Sequence, residues 1–281
     1  MIFISVIIAI VLVFGIGYFA PQLPFNSLVG GNFYQIVSVV LAVVISAVLN
    51  MPMLYMLKAN SKYKKGEYKA AIALYKKAYG TKRLSADMEI YCGYIFLKEG
   101  EKELCEQVFN RVAKRKLTPY QKNRFDINYA ILLWKKGRLD EAIDLLKTVW
   151  EKEQSVNTAG TLGALLLIRA RKTGDYAEAV AFCEETNEQF TYERTIMANL
   201  GEAYYCVGRN DEALTVFAEL MDCGSVAPAP YYYYALALLK ADKKSEAAQM
   251  LNLSLRQRFS ALSTVGKKTV KAKLAEITVE E

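Results

Sequence analysis

The sequence predicts an all-α protein: a membrane-spanning helical hairpin followed by a solenoid of stacked helical hairpins. Three observations predict it. Residues 1 to 57 contain no Asp, Glu, Lys or Arg and hold two long apolar runs. Beyond them, a phrase built around a turn residue recurs six times at spacings of 34 to 37 residues. Small residues then sit at fixed distances on either side of these turns, with one exception at Leu167. The 53% hydrophobic content of the 281 residues excludes a disordered chain and a disulfide-dense miniprotein. There is no histidine, which removes the usual general base, the commonest metal ligand and every Ser/His or Cys/His pair.

The first apolar run, Ile2 to Ala20, has 19 residues. At about 1.5 Å per residue it is long enough for a hydrocarbon core of roughly 30 Å. Phe33 to Asn50 (FYQIVSVVLAVVISAVLN) is a second span, with Gln35, Ser38, Ser46 and Asn50 as its main polar side chains. A cleaved signal peptide would need a basic start and a small-x-small site. No base precedes the first run, Tyr18 sits where a small residue should be, and Pro21 would follow the cut, so a retained anchor is expected. The link PQLPFNSLVGGN (21–32) is short and rich in turn formers, which makes the two spans a hairpin.

From Lys58 to Arg83 there are nine basic residues and one acid, Glu67, a net +8. The 198 residues that follow hold 27 basic and 28 acidic residues, a net −1. The basic character of the chain is therefore one local patch and does not point to nucleic acid. Lysines beside a span stay on the cytoplasmic side, so both termini and the repeats are expected there. Lys58, Lys62, Lys64, Lys65 and Lys69 are the expected contacts with anionic headgroups. Cys92, Cys105, Cys183, Cys206 and Cys223 are odd in number and form no C-x-x-C pair, and read as buried thiols in a reducing compartment.

The recurring phrases are KGEYKAAIALYKKA (65–78), EGEKELCEQVFNRV (99–112), KGRLDEAIDLLKTV (136–149), TGDYAEAVAFCEET (173–186), VGRNDEALTVFAEL (207–220) and ADKKSEAAQMLNLS (241–254). Their turn residues are Gly66, Gly100, Gly137, Gly174, Gly208 and Asp242. Five residues after each comes Ala71, Cys105, Ala142, Ala179, Ala213 or Ala247. Seven before it comes Ala59, Gly93, Ala130, Leu167, Gly201 or Ala235. Helices approach closely only where side chains are small, so each phrase is a tight helical hairpin, and the period means a stacked array. Tyr75, Phe109, Leu146, Cys183, Phe217 and Leu251 fill the next layer.

These segments resemble tetratricopeptide repeats, most fully in ANLGEAYYCVGRNDEALTVFAEL (198–220). The resemblance covers roughly residues 52 to 258 and implies a right-handed superhelical solenoid of about six repeats. Repeat four departs, with Leu167 at the small position, and the intervals flanking Gly137 carry three extra residues each, so nearby helices are expected to be longer or shifted. In the repeat register Pro52 opens the first repeat's first helix, and the second span should break near Asn50 to Pro52. Phe259 to Glu281 reads as a capping helix with a frayed acidic end.

No hydrolase, phosphate-loop or metalloprotease motif is present, and Gly15 and Gly17 lie inside a span without the context of a dinucleotide loop. Glu141, Glu178 and Glu212 recur at one repeat position, which marks exposed helix-start residues rather than an acid/base pair. No enzyme, cofactor, metal or small-molecule substrate is expected. The resemblance instead implies a concave groove, lined by the first helix of each repeat, that takes a protein or peptide. Carried over by register, its residues are Tyr94, Leu97 and Lys98; Arg124, Ile127, Ile131, Trp134 and Lys135; Ile168, Arg171 and Lys172; Glu202 and Tyr205; and Tyr232, Leu236 and Lys240. Aromatics with Arg suit an acidic or aromatic-anchored segment. The family's carboxylate clamp wants an Asn where Tyr94, Ile131 and Ile168 stand, so capture of a C-terminal acid is not expected. In Tyr231 to Tyr234, helical spacing sends Tyr231 and Tyr234 to the core and leaves Tyr232 for the groove. The expected role is a membrane-anchored adaptor; the alternative is a structural subunit held by its spans and solenoid, with no free groove.

Overall fold

A computed structural model describes residues 11, 15, 18, 33–224 and 227–279. The described residues form an all-α chain of thirteen helices without strands. Val11, Gly15 and Tyr18 are helical; the rest of the first predicted span and its link to the second lie outside the described residues. Two compact units divide the chain, Met1–Cys92 and Gly93–Glu281.

The first unit contains α1 (Phe33–Lys64), α2 (Tyr68–Gly80) and the start of α3 (Ala86–Lys98). Val39–Lys64 is long and apolar enough to cross a membrane, and Val40, Val43, Val44 and Val48 are exposed. The break expected at Pro52 does not occur, because α1 runs through it. Proline gives no N–H to the carbonyl four residues back, which is normally what interrupts a helix. Here that carbonyl, on Val48, accepts from the Arg83 guanidinium at 3.5 Å, the long limit for such a bond. Asn50 Nδ2 donates to the Ser46 carbonyl at 2.8 Å in the same turn. Ala59 of α1 and Ala71 of α2 are fully buried, and the Tyr75 hydroxyl donates to Asn60 at 2.5 Å.

The second unit continues with α4 (Lys102–Val112), α5 (Pro119–Lys135), α6 (Leu139–Lys152), α7 (Val156–Thr173), α8 (Ala177–Gln189), α9 (Arg194–Cys206), α10 (Asn210–Cys223), α11 (Pro228–Lys240), α12 (Lys244–Arg256) and α13 (Lys267–Val279). Each predicted turn residue has a positive φ, from 78° to 86° at the five glycines and 59° at Asp242. That conformation closes the helix: after α5, Gly137 N–H donates to the Trp134 carbonyl and Arg138 N–H to Leu133, both at 2.9 Å.

Close approach explains the small residues. A Cβ on Gly93 would lie 2.2 Å from the Phe109 ring, and one on Gly201 2.7 Å from Phe217. In repeat four the sizes are reversed: Leu167 stands at the small position, Cys183 at the large one, and both are buried in one core cluster. The extra residues around Gly137 lengthen the opening helices, to 17 residues in α5 and 18 in α7 against 13 in α9 and α11.

Two expectations change. The C-terminal helix begins only at Lys267, and the stretch before it, residues 257–266, is non-helical. Val265, Val270 and Ile277 are buried with Phe217 and Leu238, so this end is built into the core. Among the cysteines, Cys92, Cys105 and Cys183 are buried as expected, whereas Cys206 is half-buried and Cys223 is exposed. Cys223 is the last residue of α10, where the helix runs out into the Gly224 turn.

Candidate functional site

The opening helices α5, α7, α9 and α11 pack side by side, and their shared face carries two adjoining cavities of about 400 and 300 Å³. Capping fixes where two of these helices begin. Thr118 and Gln121 form a reciprocal capping box on α5, and Ser155 caps α7 by accepting from Thr158 N–H.

Lys98, Arg171, Arg194, Asn199, Glu202 and Arg258 are among the residues that line the larger cavity. Its organising feature is buried: the Arg171 guanidinium pairs with Glu202 and donates to the Tyr233 hydroxyl at 2.8 Å. Glu202 is 8% exposed. Burial raises its carboxyl to about 7, even though Arg171 pulls the other way. Burial also pushes the Tyr233 hydroxyl well above the usual range. Lys98 lies 6.0 Å over the Tyr94 ring, its ammonium lowered by burial and then by the charge of Arg258.

The smaller cavity is apolar, with Ile131, Trp134, Leu165 and Ile168 on its walls and Leu262 from the C-terminal segment. The Lys135 ammonium sits 3.6 Å over the Trp134 ring. Burial, and then Lys102, lower it to about 8.

The predicted groove residues separate accordingly. Lys98, Ile131, Trp134, Ile168, Arg171 and Glu202 come together at the cavities. Tyr205 and Tyr232 instead lie within the field of Lys273 on α13, and Lys240 is 4.2 Å over the Tyr205 ring. Arg124 stacks on Tyr120 away from either cavity, and Ile127 and Leu97 belong to the buried core. Lys172 is exposed, and Leu236 is half-buried against the core. Tyr231 is buried as expected; Tyr233 is buried too, while Tyr234 is half-buried with its ring 5.7 Å from Phe217. Tyr233, Arg194, Arg258 and Leu262 join the site without having been predicted there. Tyr233 and Arg194 carry a local signal, each lying on a helix assigned to the groove by register.

Elsewhere, Glu141 and Glu212 are exposed and ion-paired with Arg138 and Arg209 three residues back, and Glu178 pairs with Lys147 at 2.6 Å. No cluster of metal-ligating side chains occurs among the described residues.

Residues 194–224, which are α9 and α10, match the family model described as tetratricopeptide repeat. The fold is similar to the crystal structure of a tetratricopeptide repeat protein from Parabacteroides merdae: TM-score 0.65, 13% identity, covering 87% of this chain and 93% of that one. It is also similar to PilF from Pseudomonas aeruginosa: TM-score 0.53, 15% identity, covering 83% and 98%. No curated protein sequence matches. Six helical hairpins in register, one of them matched by the tetratricopeptide-repeat model, thus stand on the fold of a tetratricopeptide-repeat solenoid.

Proposed function

We propose that this protein is a membrane-anchored adaptor that holds protein partners on the cytoplasmic side through the face shared by its opening helices, in a binding and not a catalytic role. In this reading residues 1–51 form two spans, 52–258 the repeats and 259–281 a C-terminal cap. The observation that carries the binding role is the juxtaposition of Trp134, with Lys135 stacked on it, and the Arg171 guanidinium on one cavity-bearing face. Aromatic and Arg side chains in such pockets dominate interface energetics. The exposed valines of α1 support anchoring. Of the five lysines assigned to the headgroups, Lys58, Lys64, Lys65 and Lys69 are exposed, and Lys62 is paired with Glu67.

The test is co-purification from detergent-solubilised native membranes, comparing the intact chain with a Trp134→Ala/Arg171→Ala variant whose circular dichroism is unchanged. Partners lost with the variant establish the groove as the working surface. The structural-subunit reading is favoured by one observation, the C-terminal segment lying over the same cavities. An unchanged partner set would select it. Orientation is read from the exposed thiol of Cys223, which a membrane-impermeant maleimide should label in inverted vesicles and not in sealed right-side-out ones. Slower acylation of Lys58, Lys64, Lys65 and Lys69 in anionic than in neutral liposomes checks the headgroup contact; equal rates refute it.

A further inference from the structure

The C-terminal segment between α12 and α13 lies on the face to which partner binding is assigned. Arg258 pairs with Glu99, their side chains only 25% and 16% exposed. Ala261 N–H donates to the Lys98 carbonyl at 3.0 Å. Leu262 and Thr264 close the apolar cavity against Ile131, Trp134 and Ile168. Ser260, Leu262, Ser263 and Thr264 also line the larger one. The segment thus has the anchors of a bound peptide, with a backbone hydrogen bond, an aliphatic side chain beside an aromatic and an ion pair at one end, on a turn in which Ser263 N–H donates to the Ser260 carbonyl at 3.1 Å.

Its shape fits better than its charge. Between α12 and α13 it contains no acid, and it brings Arg258 to a wall that already holds Lys98, Arg171 and Arg194. Glu99 takes Arg258 and Glu202 takes Arg171, while Arg194 donates to the Gly224 carbonyl at 3.0 Å. Lys98 forms no ion pair among the described residues; the Arg258 charge acts against its own, and the Glu99 charge, itself taken by Arg258, offsets this in part. An acidic segment would remove that repulsion and add counter-charge to this wall.

We propose that residues 258–266 are a built-in competitor for the groove, and that the partner replacing them is an acidic segment with an aliphatic anchor at the Leu262 position. This rests on the groove being the binding surface. The probe is a fluorescein-labelled peptide of residues 257–266 carrying Arg258→Gln, Ser260→Glu, Ser263→Glu and Thr264→Glu, added to the full chain in detergent. A Gly100→Cys/Ala261→Cys variant locks the competitor in place: a Cβ on Gly100 lies 3.7 Å from that of Ala261, within the disulfide range of about 3.5–4.5 Å. Because φ at Gly100 is +86°, a side chain there is strained, and an Arg258→Ala/Leu262→Ala variant loosens the segment from the other direction.

The loosened variant should bind the probe at least tenfold more tightly than the intact chain, and more tightly than it binds the unsubstituted peptide. The oxidised lock should lose binding and regain it on reduction. Equal affinities for the intact, loosened and locked chains refute the competitor; failure of the loosened variant to prefer the acidic probe refutes the partner chemistry. If Trp134→Ala/Arg171→Ala abolishes probe binding while lock and loosening change nothing, the groove reading stands and the competitor alone falls. Binding that survives Trp134→Ala/Arg171→Ala removes the groove reading itself.

Discussion

Replacing Glu202 by Gln should change how stability depends on pH. In the folded chain burial holds this carboxyl at about 7, with Arg171 and Tyr233 as its polar neighbours. In an unfolded chain a glutamate titrates at roughly 4.4. Below that pH both states carry the proton, and the group makes no demand on folding. Between roughly 4.4 and 7 the unfolded chain has released a proton that the folded chain still holds, so stability falls as pH rises. At about 1.4 kcal/mol per pH unit the loss reaches about 3 kcal/mol near pH 7 and then levels off. Glu202→Gln removes the titration and keeps the shape. The variant's stability relative to the intact chain should therefore climb by about 3 kcal/mol between roughly pH 4.5 and 8. Other carboxyls titrate alike in both chains and cancel, and the neighbouring Cys206 and Tyr233 are pushed upward, away from this window. Urea unfolding in detergent, followed by far-ultraviolet circular dichroism across that range, measures the difference. Parallel curves, or a gap that closes with rising pH, would refute the account of Glu202 as a desolvated carboxyl.

Gly93→Ala should destabilise by about 1–2 kcal/mol, because overpacking against Phe109 outweighs a helix-propensity gain of about 1 kcal/mol, and Phe109→Leu in the same chain should recover most of it by urea midpoint. Lys135, lowered to about 8, should be acylated with a pH midpoint near 8, as read by peptide mass spectrometry across a pH series; a midpoint near the ordinary lysine value of about 10.4 would show its ammonium to be fully solvated. Pro52→Ala restores an N–H for the Val48 carbonyl and should raise stability by about 1 kcal/mol or more, while Arg83→Ala should cost well under about 1 kcal/mol given the long, exposed contact; urea midpoints of the two variants check both.

Repeat architecture is legible in the sequence because its requirements are local. A left-handed turn selects glycine, or Asp at position 242, and a tight crossing selects Ala or Gly seven residues before and five after it; both signals survive without knowledge of the partner helix. Leu167 looks anomalous in the sequence because its compensation, the small Cys183, stands sixteen residues away on the next helix. The same limit hides the rest. Nothing near Arg171 announces that Glu202 and Tyr233, 31 and 62 residues onward, will close around it. Nothing in residues 258–266 marks them as destined for the groove, since their contacts are with positions as distant as Glu99. Pro52 misleads for a related reason: the rule that proline opens a helix is sound locally, and here Arg83, from beyond the next helix, offers the Val48 carbonyl another donor.

The unbroken run of α1 through Pro52 fixes an angular phase. One helix carries both the exposed valines and the Ala59 face that meets α2, so each turn of the apolar stretch has a set azimuth relative to the first repeat. A residue inserted before Pro52 would twist everything upstream by about 100° and lengthen it by about 1.5 Å. Two such insertions would swing the valine-bearing surface to nearly the opposite side of the axis, so the length of this helix is constrained in whole turns and not merely in ångströms.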